Sequence, residues 1–122
     1  MTIPFDLLLA GGIVVTGEGM HRADVGVRGE RVAAIGPGLH ADGDTEVVDV
    51  SGRYVFPGVI DVHIHPVYVD SVEDCSRFAA YGGTTTLLHF AYARVGDSLL
   101  QKVTGMREDG MERAVRRTSL AA

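Results

Sequence analysis

The chain is poor in the residues that mark several common kinds of site. It has one cysteine, Cys75, in 122 residues, which rules out an intramolecular disulfide and a cysteine-based zinc site. Cys75 follows acidic Glu73 and Asp74, so nothing beside it in sequence would stabilise a thiolate, and it reads as a helix residue rather than a nucleophile. Lys102 is the only lysine. The formal net charge of −5 leaves no basic stripe for nucleic acid. The one basic cluster, "RAVRR" from Arg113 to Arg117, reads as a solvated helix end. No run approaches the ~18 apolar residues of a membrane span. The start, "MTIPFDLLLAGG", lacks the basic leading region and the long apolar core of a signal peptide. These absences set the expectation of a cytoplasmic chain with neither nucleic-acid nor membrane partners.

What is present suits a globular core. Hydrophobic residues make up 46% and charged residues 22%, and the length supports a domain with a real interior. Residues 1–55 read as short strands punctuated by glycine. "DLLLA" and "GIVVT" are apolar stretches that Gly11-Gly12 separates. In "ADVGVRGERVAAIG", Val25 and Val27 alternate with polar or small residues, "RGER" turns the chain, and Val32 and Ile35 lead away, which predicts a hairpin. "TEVVDV" and "RYVFPG" supply two more short strands around Ser51-Gly52. No helical period survives in this half, and it is expected to form a small, sandwich-like all-β unit.

After Pro57-Gly58 the pattern changes. "VIDVHIH" reads as a strand that Pro66 ends. "DSVEDCSRFAAYGG" then reads as a helix capped by Asp70 or Ser71, with acidic Glu73 and Asp74 in its first turn, where the helix dipole favours them. Val72, Cys75, Phe78 and Ala79 are its expected apolar face, and Gly82-Gly83 its stop. "TTTLLHF" is β-branched and then apolar, a second, buried strand. "DSLLQKVTGMREDGMERAV" is a second helical stretch, weakened by Gly105 and Gly110. Strand, helix, strand, helix is the opening of a parallel α/β sheet or barrel.

In the strand "VIDVHIH", His63 and His65 are two residues apart, so both side chains point to one face, about 7 Å apart by strand rise. Ile60, Val62 and Ile64 take the opposite face, expected to pack under a helix, while Val59, Asp61, His63 and His65 look inward. In a parallel barrel the C-terminal end of a strand is where active sites sit, and imidazole nitrogens suit zinc and similar divalent ions. Two ligands do not complete a catalytic zinc site, which needs three from the protein. By spacing alone, such a pair is more often two exposed strand-end histidines than a metal site.

The order of a β-rich N-terminal unit, then "PGVIDVHIHP", then a helix ending in "AAYGGTTTLLHFA" and followed by "GDSLLQKV", resembles the amidohydrolase superfamily of metal-dependent hydrolases. Within it, the resemblance lies with the dihydropyrimidinase (hydantoinase) branch of cyclic amidases. Allantoinases and dihydroorotases share much of the pattern, which runs from about Asp6 to Val103. The resemblance implies a metal-dependent (β/α)8 barrel preceded by the β-rich unit, with residues 56–122 as its first two βα units. It implies that His63 and His65 ligate the more buried ion of a two-metal Zn2+ centre, and that a hydroxide between the ions attacks the carbonyl of a small cyclic amide or imide. Asp61 is not a ligand in that pattern and is expected to orient a histidine. His89 is also off the pattern and is expected to be a hydrogen-bonded strand residue. A homo-oligomeric parent is implied as well.

The remaining ligands of the pattern are a carboxylated bridging lysine, two further histidines and a late aspartate, all beyond Ala122. Lys102 falls in a helical stretch, not at a strand end, and is not expected to bridge. A barrel of this kind takes roughly 250 residues, so the chain reads as an incomplete barrel, an N-terminal fragment expected to be inactive alone. A shifted reading frame near "RRTSL" is one explanation for the early stop. Two βα units cannot cover both faces of a parallel sheet, so strand surface is expected to lie open. The competing class is a non-enzymatic assembly module in which the histidines are structural.

Overall fold

The computed structural model describes residues 5–65 and 71–114, apart from the side chain of Arg113. It divides into two compact units, Met1–Pro57 and Gly58–Ala122.

The first unit is built on β1 (Leu7–Thr16), β2 (Gly19–Arg28), β3 (Arg31–Gly36), β4 (Glu46–Asp49) and β5 (Tyr54–Val55). β3, β2 and β1 run antiparallel in sequence, and β4 and β5 both lie parallel to β1. The predicted hairpin is present: Arg28 pairs with Arg31 across Gly29-Glu30, and the Gly29 amide is held by the Asp6 carboxylate. The expected sandwich is instead a single mixed sheet among the described residues. The turn at Ser51-Gly52 returns the chain alongside the same strand, so β4 and β5 share β1 as partner rather than forming a second layer. Its core is Val14, Ala23 and Val25, with Leu9, Val27 and Val55 against them.

Gly11-Gly12 does not break the chain into two strands, as its composition suggests. β1 continues through it with a register shift between Leu9 and Gly12. Gly11 takes φ +79° there, a conformation open to glycine because a Cβ would clash with the backbone. The shift is clamped by Asp24, whose Oδ1 accepts from the Gly11 N–H at 2.8 Å and whose Oδ2 accepts from the Leu39 N–H at 3.0 Å.

The second unit carries β6 (Val59–Ile64), α1 (Val72–Tyr81), β7 (Thr84–His89) and α2 (Leu99–Arg113). β6 and β7 pair in parallel with α1 as the crossover, the arrangement predicted from the pattern. Ser71 caps α1 by accepting the Asp74 N–H at 3.0 Å. Gly82 and Gly83 close the helix with bonds to Phe78 O and Ala80 O. Pro66 and Asp70, expected as strand end and alternative cap, lie outside the described residues, as do Arg116 and Arg117 of the basic cluster.

The covered face of α1 differs from the expected one. Val72, Cys75, Ser76 and Ala79 are sheltered at the i, i+3, i+4, i+7 spacing of one stripe, and Asp74 beside the stripe is half-buried as well. Phe78 falls about 110° from the centre of that stripe at 100° per residue and is 63% exposed. On β7 only Leu87 is buried, so this strand is not the buried one its apolar composition predicts. Ile60 and Val62, expected to lie under a helix, are 59% and 63% exposed. The reason is coverage: α1 packs on β7, and one crossover helix is too narrow to shield the neighbouring strand as well. Among the described residues no helix is long and apolar enough to cross a membrane.

Candidate metal centre

β6 is fastened to its neighbour at both ends. The Val59 N–H donates to Gly83 O at 3.0 Å and the Phe90 N–H to Ile64 O at 3.0 Å. The start of β6 also comes close to β7, where a Cβ on Gly58 would collide with the Thr85 side chain. Only glycine admits that approach. A strand held this way presents His63 and His65 from a fixed backbone.

The two imidazoles do converge. His63 Nε2 and His65 Nε2 are 3.0 Å apart, with ring centroids 5.0 Å apart and planes at 62°. The strand rise that separates their backbones is closed by rotation about the side-chain bonds. Two nitrogens bound at 2.0–2.1 Å to one ion would be about 2.9 Å apart at a right angle and about 3.3 Å at the tetrahedral angle. The observed separation lies in that interval, so the donors fit a divalent ion. The same distance permits an N–H···N hydrogen bond in one pair of tautomers, which a metal would replace. Among the described residues no group of three or more histidine, cysteine, aspartate or glutamate side chains is assembled around them.

Asp61 bonds within its own strand: its Oδ1 accepts from the His63 N–H at 3.0 Å. This holds the backbone of His63 rather than its ring. The register slips between Asp61 and Ile64, so simple alternation does not carry through this stretch. Lys102 lies in α2, 3.5 Å from Asp97 Oδ2, away from any strand end. Cys75 lies on α1, its N–H bonded to Ser71 O.

His89 departs from expectation. It stands beside Ile64 in the β6–β7 ladder, but its Nδ1 is buried with no hydrogen-bond partner among the described residues. Desolvation holds its pKa below the usual histidine value, because burial penalises the charged ring.

The residues that sequence reasoning missed are aromatic. The Phe90 ring stacks on His63 at 4.3 Å between centroids and 30° between planes. It also lies 5.3 Å from the His65 ring. Tyr92 meets His65 edge-on at 6.0 Å and 76°. A signal existed: Phe90 and Tyr92 repeat, two residues apart after β7, the spacing of His63 and His65 at the end of β6.

No family model matches the chain. A D-hydantoinase of Rhizobium radiobacter is 39% identical over 113 residues, covering 87% of this chain and 24% of that protein. A solved dihydropyrimidinase from Brevibacillus agri NCHU1002 superposes with TM-score 0.79 at 35% identity, over 88% of this chain and 25% of that one. The chain is a hydantoinase-like member of the amidohydrolases. An allantoinase of Deinococcus radiodurans is 39% identical over 88 residues, 68% of this chain and 19% of that protein. The hydantoinase-like chain thus spans about a quarter of the length of the curated relatives it matches over most of its own length.

Proposed function

We propose that the chain carries the first pair of metal ligands, His63 and His65, of a hydrolase acting on the carbon–nitrogen bond of small cyclic amides, of the hydantoinase or dihydropyrimidinase kind. The observation that carries this reading is the convergence of the two Nε2 atoms to 3.0 Å. On the same reading, the parallel β6–α1–β7 unit opens a (β/α)8 barrel with the pair at the C-terminal end of its first strand. Residues 1–55 are the accessory β unit and residues 56–122 the barrel part.

Imidazole donors favour zinc. A divalent ion bound there supplies Lewis-acid chemistry, polarising a carbonyl and lowering the pKa of water. The chain's own residues hold and orient it. His63 and His65 present their Nε2 atoms, and Asp61 fixes the His63 backbone through its N–H. A catalytic zinc needs three protein ligands, and the histidine pair supplies two. Turnover of hydantoin by this chain alone is therefore expected to be absent. A homo-oligomeric enzyme in the cytoplasm belongs to the same reading.

The test is a chimera in which this chain replaces the matching segment of the Rhizobium radiobacter D-hydantoinase. Hydrolysis of hydantoin or dihydrouracil, lost on His63→Ala or His65→Ala, supports the reading. A folded chimera that turns over equally well in both variants sinks it. Preference for allantoin over hydantoin would move the substrate to the allantoinase kind, to which the Deinococcus radiodurans relative belongs.

A further inference from the structure

We infer that Phe90 is a positioning residue for the metal-ligand pair: its ring holds the imidazoles of His63 and His65 in the orientation that brings their Nε2 atoms together. The inference rests on the ligand reading of the two histidines and adds what keeps them poised.

Each imidazole on an open strand can rotate about two side-chain bonds, and a two-histidine chelate needs both rings in one combination. His63 and Asp61 are exposed, so close packing does not select that combination for His63. Asp61 restrains the His63 main chain only. Among the described residues Phe90 lies against both rings, 4.3 Å from His63 and 5.3 Å from His65 between centroids. Its plane stands at 30° to that of His63, a stacked contact, and at 33° to that of His65, a tilted one, so a single ring borders both.

The backbone of Phe90 is itself tied to the ligand strand, since its N–H donates to Ile64 O, the residue between the two histidines. The ring therefore moves with the strand that carries the ligands. A phenylalanine placed for burial would occupy a site like that of Leu87. Phe90 is 44% exposed instead, and among the described residues its ring meets both imidazoles. Stacked aromatic pairs prefer definite offsets, so the contact sets ring orientation where a general hydrophobic contact would not.

The experiment uses the whole 122-residue chain, titrated with Co2+ and followed by its d–d absorption. Phe90→Leu, of similar hydrophobicity but without a flat face, is expected to raise the apparent Kd about tenfold or more, the effect usual for residues supporting a ligand. Phe90→Tyr, which keeps the face, should bind within about twofold of the unmodified chain. Cobalt binding by Phe90→Leu as tight as in the unmodified chain, with His63→Ala abolishing it, overturns this inference and leaves the ligand reading standing. Binding unchanged in His63→Ala overturns the ligand reading, and this inference with it. If Phe90→Leu fails to fold by circular dichroism, the metal-free unmodified chain decides by NMR. Upfield ring-current shifts of the His63 carbon-bound protons, relative to exposed His21 and His40, support the stack, and shifts equal to theirs overturn it.

Discussion

His63 and His65 bring their Nε2 atoms to 3.0 Å of each other although their backbones are a full strand repeat apart. On the proposed ligand reading, that closure lets the pair grip one ion at two points. Zinc is expected to bind the chain weakly and reversibly, released by chelator, with affinity falling at least tenfold in either alanine variant. His63 is exposed, so His63→Ala should change folding stability by no more than about 0.5 kcal/mol. Elemental analysis and urea unfolding check the two halves. Full occupancy in both alanine variants would return the histidines to a structural role.

Gly58 sits where a Cβ would strike the Thr85 side chain, one residue before the β6–β7 ladder begins at Val59 and Thr84. Gly58→Ala is expected to destabilise the second unit by about 1–3 kcal/mol through overpacking. Shortening Thr85 to alanine in the same chain should recover part of that loss, because it removes the hydroxyl and methyl that collide but leaves the Thr85 Cβ 2.6 Å from the added methyl. A double-mutant cycle in urea measures the coupling. Zero coupling would mean that the cost of Gly58→Ala arises elsewhere.

The Asp24 carboxylate holds the Gly11 and Leu39 amides, and the Gly11 hydrogen bond is the leading reason its pKa lies below the usual carboxylate value. The folded state thus binds its proton less readily than the unfolded chain does. The stabilisation is present above the unfolded pKa of about 4 and is lost as pH falls through the lower folded value. Asp24→Ala should cost roughly 1–3 kcal/mol near neutrality. Unfolding curves from pH 6 to pH 2 should show a shallower acid decline in Asp24→Asn than in the unmodified chain, and parallel declines would refute the assignment.

His89 predicts the same direction at higher pH. Burial lowers its folded pKa, so below the unfolded value of about 6.5 the unfolded chain takes up the proton and the folded form loses ground. His89→Leu removes both the titration and a buried nitrogen without a hydrogen-bond partner. It is expected to be neutral or stabilising at pH 7.5 and more clearly stabilising at pH 5.5. A urea midpoint that drops equally at both pH values would show instead that the ring is needed where it lies.

Much of the second unit was legible because its signals are local. The capping Ser71, the Gly82-Gly83 stop and the β-branched run at Thr84–Thr86 each act within a turn or a strand. The two-residue spacing singled out His63 and His65 as a pair, although the register slip between Asp61 and Ile64 breaks strict alternation there. The covered stripe of α1 was partly misread at Phe78, since a helix fragment names several apolar residues and only the partner surface selects among them.

Local pattern alone determined that two histidines stand at the end of the first parallel strand and that a helix joins it to the next. Tertiary structure decided what pattern cannot hold. Gly11-Gly12 is a slip within one strand rather than a break, because a carboxylate thirteen residues away, on Asp24, satisfies the displaced amide. Ile60 and Val62 lie open because a single crossover helix covers the neighbouring strand. The histidine rings converge with the Phe90 face against them, and that face arrives from a strand whose register is set by hydrogen bonds between residues far apart in sequence.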